Sequence, residues 1–137
     1  VTTPRVLFVC VKNGGKSQMA AGLMRAVAGP AVEVDSAGTR AGTALNAESV
    51  QSLLELGVDI SGGHPQQLTD EMVAAADLVV VLGSEARVEP VGGTPVEVWE
   101  TDEPSTRGIE GAERMRLVRD DIAARVEDLA RRLAAPA

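Results

Sequence analysis

A thiol, two lysines and a hydroxyl share nine residues, "CVKNGGKSQ" at 10–18, in a chain with no other cysteine. Two chemistries fit that spacing, each with one residue out of place. Read as G-x-x-x-x-G-K-S, the stretch wraps nucleotide phosphates, with Lys16 on the terminal groups and Ser17 on magnesium. Cys10 then stands where a glycine belongs. Read as C-x5-R-S, it cradles a tetrahedral oxyanion in front of a cysteine nucleophile, with Lys16 in place of the arginine. Both readings rest on the same backbone. Asn13, Gly14 and Gly15 tolerate the angles that turn successive N–H groups inward, and a following helix adds its positive end.

The consequences differ. A nucleotidase also needs a carboxylate after another strand to complete its metal site. The clearest such strand ends in Gly83-Ser84, with Glu85 the nearest acid. A thiol enzyme gives every residue a task. A helix terminus and the Lys16 cation favour a thiolate, and Ser17 can donate to its sulfur. What is lost is the bidentate fork of arginine, since lysine holds an oxyanion as a point charge. A buried, inert thiol is the third reading of Cys10.

The loop needs elements to hold it. "RVLFV" (5–9) is an apolar run that reads as a buried strand leading into it. Met19, Leu23, Met24 and Val27 recur at helical spacing beyond it, and Gly29-Pro30 ends that helix. "AVEVD" (31–35) reads as a second strand and "SAGTRAGTA" (36–44) as a turn-rich loop. Asn46 can cap a helix carrying Val50, Leu53, Leu54 and Leu56 on one side, closed by Gly57. Thr69 can cap a short helix with Asp70 and Glu71 in its first turn.

"DLVVVL" (77–82) is continuous rather than alternating, as expected of a strand covered on both faces, and "PVEVW" (95–99) is a fourth strand. Met115, Val118, Ile122, Val126, Leu129 and Leu133 mark a long amphipathic helix. Asp121–Arg125 and Glu127–Arg131 are spaced to pair on its wet side, where Arg114, Arg116 and Arg119 also fall. Strands alternating with helices predict an α/β fold: a four-stranded parallel sheet with helices on both faces, in one domain over 1–137. Ligands of such sheets bind beyond the carboxyl ends of the strands, where residues 10–18 lie.

The formal charge of −7, with 13 dispersed Lys and Arg, argues against nucleic acid as a partner. No apolar run reaches the ~20 residues of a membrane span. The first residues lead straight into a strand without the marks of a signal peptide, so a cytoplasmic location is expected. One cysteine and one histidine, His64, exclude an internal disulfide and a thiolate zinc cluster, and no metal is expected. Phe8 and Trp99 are the only aromatics; with Phe8 in a strand and Trp99 expected in the core, a slot for an aryl ester is hard to build.

The chain resembles the low-molecular-weight tyrosine phosphatase family, and within it the arsenate reductase branch. The likeness runs nearly full length through "VLFVCVKNGGKSQMAAG", "VDSAGT", "LGVDISGGHPQQLT", "ADLVVVLGSEA", "VEVWETDEP" and "RLVRDDIAARVEDL" in that order. The resemblance implies Cys10 as nucleophile, oxyanion binding by the amides of Val11, Lys12, Asn13, Gly14, Gly15 and Lys16, and a loop braced by Asn13. It implies that Ser17 stabilises the thiolate and that an acid before Pro104, Asp102 or Glu103, donates a proton. Thioredoxin-linked members of the branch carry two further cysteines, where this chain has Gly83 and Glu89. Any thiol exchange must therefore recruit an outside thiol. Lys16 in C-V-K-N-G-G-K-S resembles the mycothiol-dependent arsenate reductases of actinobacteria. That implies arsenate or phosphate at the loop, mycothiol as co-substrate and mycoredoxin as the final reductant, with no tightly bound cofactor. A tyrosine phosphatase and a non-catalytic oxyanion or redox-sensing module are the alternatives. Lys12 and Arg40 border the expected pocket as further candidates to touch substrate or co-substrate.

Overall fold

The computed structural model describes residues 3–134. Four parallel strands form one sheet in the order β2-β1-β3-β4: β1 (Arg5–Cys10), β2 (Glu33–Gly38), β3 (Leu78–Leu82) and β4 (Val96–Trp99). The chain leaves β1 for β2 on one side and places β3 on the other, so the carboxyl end of β1 is a topological switch point. Period-two alternation sends Val6, Phe8, Val80 and Leu82 to one face and Leu7, Val9, Val79 and Val81 to the other.

The first face is covered by α1 (Lys16–Ala28), α2 (Ala47–Leu54) and α4 (Gly111–Ala134), through Met19, Leu23, Leu53, Ile122 and Val126. The second is covered by α3 (Asp70–Ala75) and its flanks, through Val73 and Ala76. The expected four-stranded α/β architecture is therefore present, with the long amphipathic helix and both predicted caps. Asn46 Oδ1 accepts from the Ser49 amide at 2.9 Å and Thr69 Oγ1 from that of Met72 at 3.2 Å.

Several expectations are corrected. The second strand is Glu33–Gly38 rather than 31–35, because its register sets Ser36, Ala37 and Gly38 against Phe8, Val9 and Cys10. Residues 29–31 form a 3-10 turn instead. Val27 and Leu54 are exposed, since α1 and α2 bury narrower stripes than the spacing suggests, and Leu56 is exposed in the turn beyond α2, which ends at Leu54 rather than at Gly57. Glu127 does not pair with Arg131, which lies 3.7 Å from Asp128, whereas Arg125 does meet Asp121 at 3.2 Å.

The arginines near the start of α4 are structural rather than merely solvating. Arg119 is buried, giving hydrogen bonds to the Ser52 carbonyl at 2.9 Å and to Glu55 at 2.8 Å, and Arg116 pairs with Glu55 too. Arg114 reaches across to the loop after β4, where it meets the candidate site.

Candidate active site

Cys10 ends β1, and the turn after it is shaped by what its carbonyls find. The amides of Thr39, Arg40, Gly42 and Asn46 donate to the carbonyls of Cys10, Val11, Lys12 and Gly14 at 3.0, 2.8, 2.9 and 2.7 Å. Tying these carbonyls to the segment after β2 leaves the loop N–H groups for the opposite side, the pattern an anion nest requires. The packing is tight. A Cβ on Gly38 would stand 2.5 Å from the Val11 carbonyl oxygen, and one on Gly14 would stand 2.8 Å from that of Ala44. Asn13 takes the left-handed conformation, φ 57°, which a short amide side chain tolerates.

The Asn13 side chain sets the direction of a hydrogen-bond chain. Its Oδ1 accepts from the Gln66 amide at 3.0 Å and from Gln18 Nε2 at 3.2 Å, so its Nδ2 faces Ser17 Oγ at 2.7 Å. Ser17 Oγ, an acceptor there, lies 2.9 Å from Cys10 Sγ with its own hydrogen free to donate to that sulfur. The Asn13 amide donates to the same sulfur at 3.2 Å. A hydroxyl and a backbone amide thus converge on one sulfur. Asn13 and Ser17 are fully buried, while Cys10 is partly open.

That sulfur opens into a cavity of about 520 Å³ at the ends of three strands, lined by Cys10, Val11, Lys12 and Lys16 at and beyond the end of β1, Leu82 to Glu85 at and beyond that of β3, and Glu100, Thr101 and Glu103 beyond β4. Lys16 thus faces the cavity, as does Lys12; Arg40 is not in its lining. Thr101 contributes a buried hydroxyl without a hydrogen-bond partner. None of the lining residues is aromatic, because Phe8 and Trp99 are buried together in the core with ring centroids 5.8 Å apart.

The two candidate acids separate. Glu103 lines the cavity; Asp102 does not. Asp102 is gripped by Arg107 at 2.8 and 3.1 Å, and that guanidinium lowers its pKa. Glu103 is held in a fork by Arg114 at 2.8 and 2.7 Å and accepts from Ser105 Oγ at 2.9 Å. The Arg114 hydrogen bond, more than burial opposes it, lowers the Glu103 pKa to about 2. In this pairing Glu103 is a carboxylate at neutral pH and has no proton to give.

The magnesium reading of the loop does not fit this geometry, since Ser17 Oγ is buried and committed to Asn13 and Cys10. Among the described residues no cluster of three His, Cys, Asp or Glu is arranged to hold a metal. Gln18, Gln66 and Arg114 carry no sequence signal for the site yet complete it. His64 enters only through its backbone, whose carbonyl accepts from Gln18 Nε2 at 3.2 Å.

Comparison with known proteins agrees with this geometry. The model of the family described as low molecular weight phosphotyrosine protein phosphatase matches residues 5–136. Arsenate reductase 1 of Staphylococcus epidermidis is 34% identical over 131 residues, covering 93% of this chain and 96% of that protein. The solved thioredoxin-dependent arsenate reductase of Corynebacterium glutamicum superposes with a TM-score of 0.80 at 32% identity. The match covers 95% of this chain but 61% of that longer one. An arsenate reductase in the phosphate binding state superposes with a TM-score of 0.80 at 26% identity, covering 96% of this chain and 99% of that one.

Proposed function

This chain belongs to the low-molecular-weight phosphotyrosine protein phosphatase family, and within it we propose that it acts as an arsenate reductase that hands arsenic to an outside thiol. One observation carries the choice of substrate. The cavity at Cys10 has an anion nest at its floor and no aromatic wall, so it suits a bare oxyanion better than an aryl ester. The full-length similarity to an arsenate reductase points the same way.

In the proposed first step the Cys10 thiolate attacks arsenic of dihydrogen arsenate. A sulfur–arsenic bond forms, an arsenic–oxygen bond breaks, and the departing hydroxyl takes one proton to leave as water. The loop amides and Lys16 hold the remaining oxygens. With Glu103 paired to Arg114, that proton comes from solvent or from a Glu103 carboxyl that has first let go of the arginine.

With one cysteine in these 137 residues, the second step needs a thiol from outside. We assign it to mycothiol, whose sulfur displaces Cys10 from arsenic and leaves a mycothiol–arsenate conjugate. Mycoredoxin then attacks the mycothiol sulfur. A disulfide forms, the electron pair of the sulfur–arsenic bond stays on arsenic, and arsenite is released. Lys16 and the absence of cysteine at positions 83 and 89 support this donor over thioredoxin. Arsenate reduction measured with each donor system alone tests it. Turnover with mycothiol plus mycoredoxin is expected; turnover with thioredoxin alone would reassign the donor, and thiol-free aryl phosphate hydrolysis would reassign the substrate.

A further inference from the structure

A second cavity, of about 510 Å³, lies against the same loop and has a different charge. It shares Lys12 and Lys16 with the Cys10 cavity, then adds Arg114 from α4 and Thr43 and Ala44 from the segment after β2. Whereas Glu85, Glu100 and Glu103 line the first cavity, no carboxylate lines the second. Among the described residues only Arg114 of the three cations is paired with a carboxylate, that of Glu103 from outside the lining. In a chain of formal charge −7, Lys12 and Lys16 thus leave an excess of positive charge in one concave place.

Arg114 has capacity to spare there. Glu103 engages its Nε and Nη2, and among the described residues Nη1 has no partner, which leaves part of the guanidinium fork for another acceptor. Glu48 and Glu110 act on Arg114 only from outside the lining. The volume falls within the range of small-molecule sites and is far more than one tetrahedral oxyanion fills.

We propose that this second cavity binds a small multivalent anion, a polycarboxylate or a polyphosphate, and that its occupancy weakens oxyanion binding at the Cys10 loop through Lys12 and Lys16, which serve both. The coupling is reciprocal: an oxyanion in the loop weakens the second anion by the same factor. Nothing in it depends on arsenate being the substrate.

The test reads alkylation of Cys10 by iodoacetamide, which needs no turnover and reports on the single thiol. Phosphate in the loop protects the sulfur, and the half-protecting phosphate concentration is measured at rising citrate, with pyrophosphate in a parallel arm. The expected result is a rise of about fivefold that then levels off, the mark of a second site with finite coupling. The anion that half-saturates at lower concentration identifies the preferred class. Thr43→Glu, or Ala44→Asp should the first variant fold poorly, puts a carboxylate into the cavity and should return the ratio of half-protecting concentrations to about one, whereas Thr43→Gln keeps it. A rise that continues in proportion to both anions would mean simple competition within the loop and would overturn the proposal. So would no rise with either anion, or a plateau unchanged by the acidic variants.

Discussion

At the scale of single residues, the chemistry rests on which hydrogens point at the sulfur of Cys10. Ser17 Oγ accepts from Asn13 Nδ2 and keeps its own hydrogen for the sulfur, and Asn13 is oriented in turn by Gln66 and Gln18. If the proposed thiolate is held by Ser17, Ser17→Ala removes a hydrogen bond of about 1.5–3 kcal/mol, and Cys10 alkylation at neutral pH should slow by roughly ten- to a hundredfold. Cys10→Ser should retain phosphate binding, because the nest is built from backbone, while abolishing arsenate turnover. The part of the site that lies within 10–18 was legible in the sequence because its members are neighbours in the chain. Gln18 was not singled out, since a glutamine in a first helical turn has no periodic or motif signal. Gln66 and Arg114 were not, because their partners Asn13 and Glu103 lie 53 and 11 residues away. Arg114 also decides the state of Glu103. The Glu103 pKa falls to about 2 from 4.5, so its charged form favours folding. That contribution is complete above pH 4.5 and fades as pH drops towards 2. Since the side chain is 37% exposed, solvent screening limits it to about 1 kcal/mol. Urea unfolding should therefore find Glu103→Gln less stable than the parent by that amount near pH 7, with the difference vanishing at strongly acid pH.

At the scale of elements, β2 does more than pair with β1. Its last residue, Gly38, sits opposite Cys10, and the chain just beyond it supplies the amides that hold the loop carbonyls outward. The sequence pattern placed this strand two to three residues early. Its final residues, Ser36, Ala37 and Gly38, look like a turn by composition and become strand only through the parallel register with Phe8, Val9 and Cys10. Gly38→Ala would bring a Cβ to 2.5 Å from the Val11 carbonyl oxygen, a backbone atom that cannot step aside without moving the nest. A loss of about 1–3 kcal/mol in unfolding free energy is expected, together with weaker phosphate protection of Cys10. The start of α4 shows the opposite limit of pattern reading. Arg119 falls on the wet side by periodicity, yet it is buried against the end of α2, with Glu55 and the Ser52 carbonyl as partners. Arg119→Ala would leave that carbonyl unpartnered and should cost about 2–4 kcal/mol, read from the urea midpoint at unchanged m-value.

At the scale of the whole molecule, the fold brings three strand ends together so that a thiol, two lysines and three glutamates surround one cavity, while both aromatics lie in the core. This division is visible in the sequence, because Phe8 and Trp99 lie on apolar strands. The shape of the cavity is not, since it depends on loops that meet only through the order β2-β1-β3-β4. The 137 residues hold one thiol, so the proposed reaction draws its second from outside. The most direct measurement is arsenite formed from arsenate by the purified protein, in a single turnover without any thiol and then with mycothiol and mycoredoxin, alongside Cys10→Ser. No arsenite without a thiol, steady production with the pair, and none from the variant is the predicted result. Arsenite appearing in the absence of every outside thiol, or undiminished in Cys10→Ser, would contradict it.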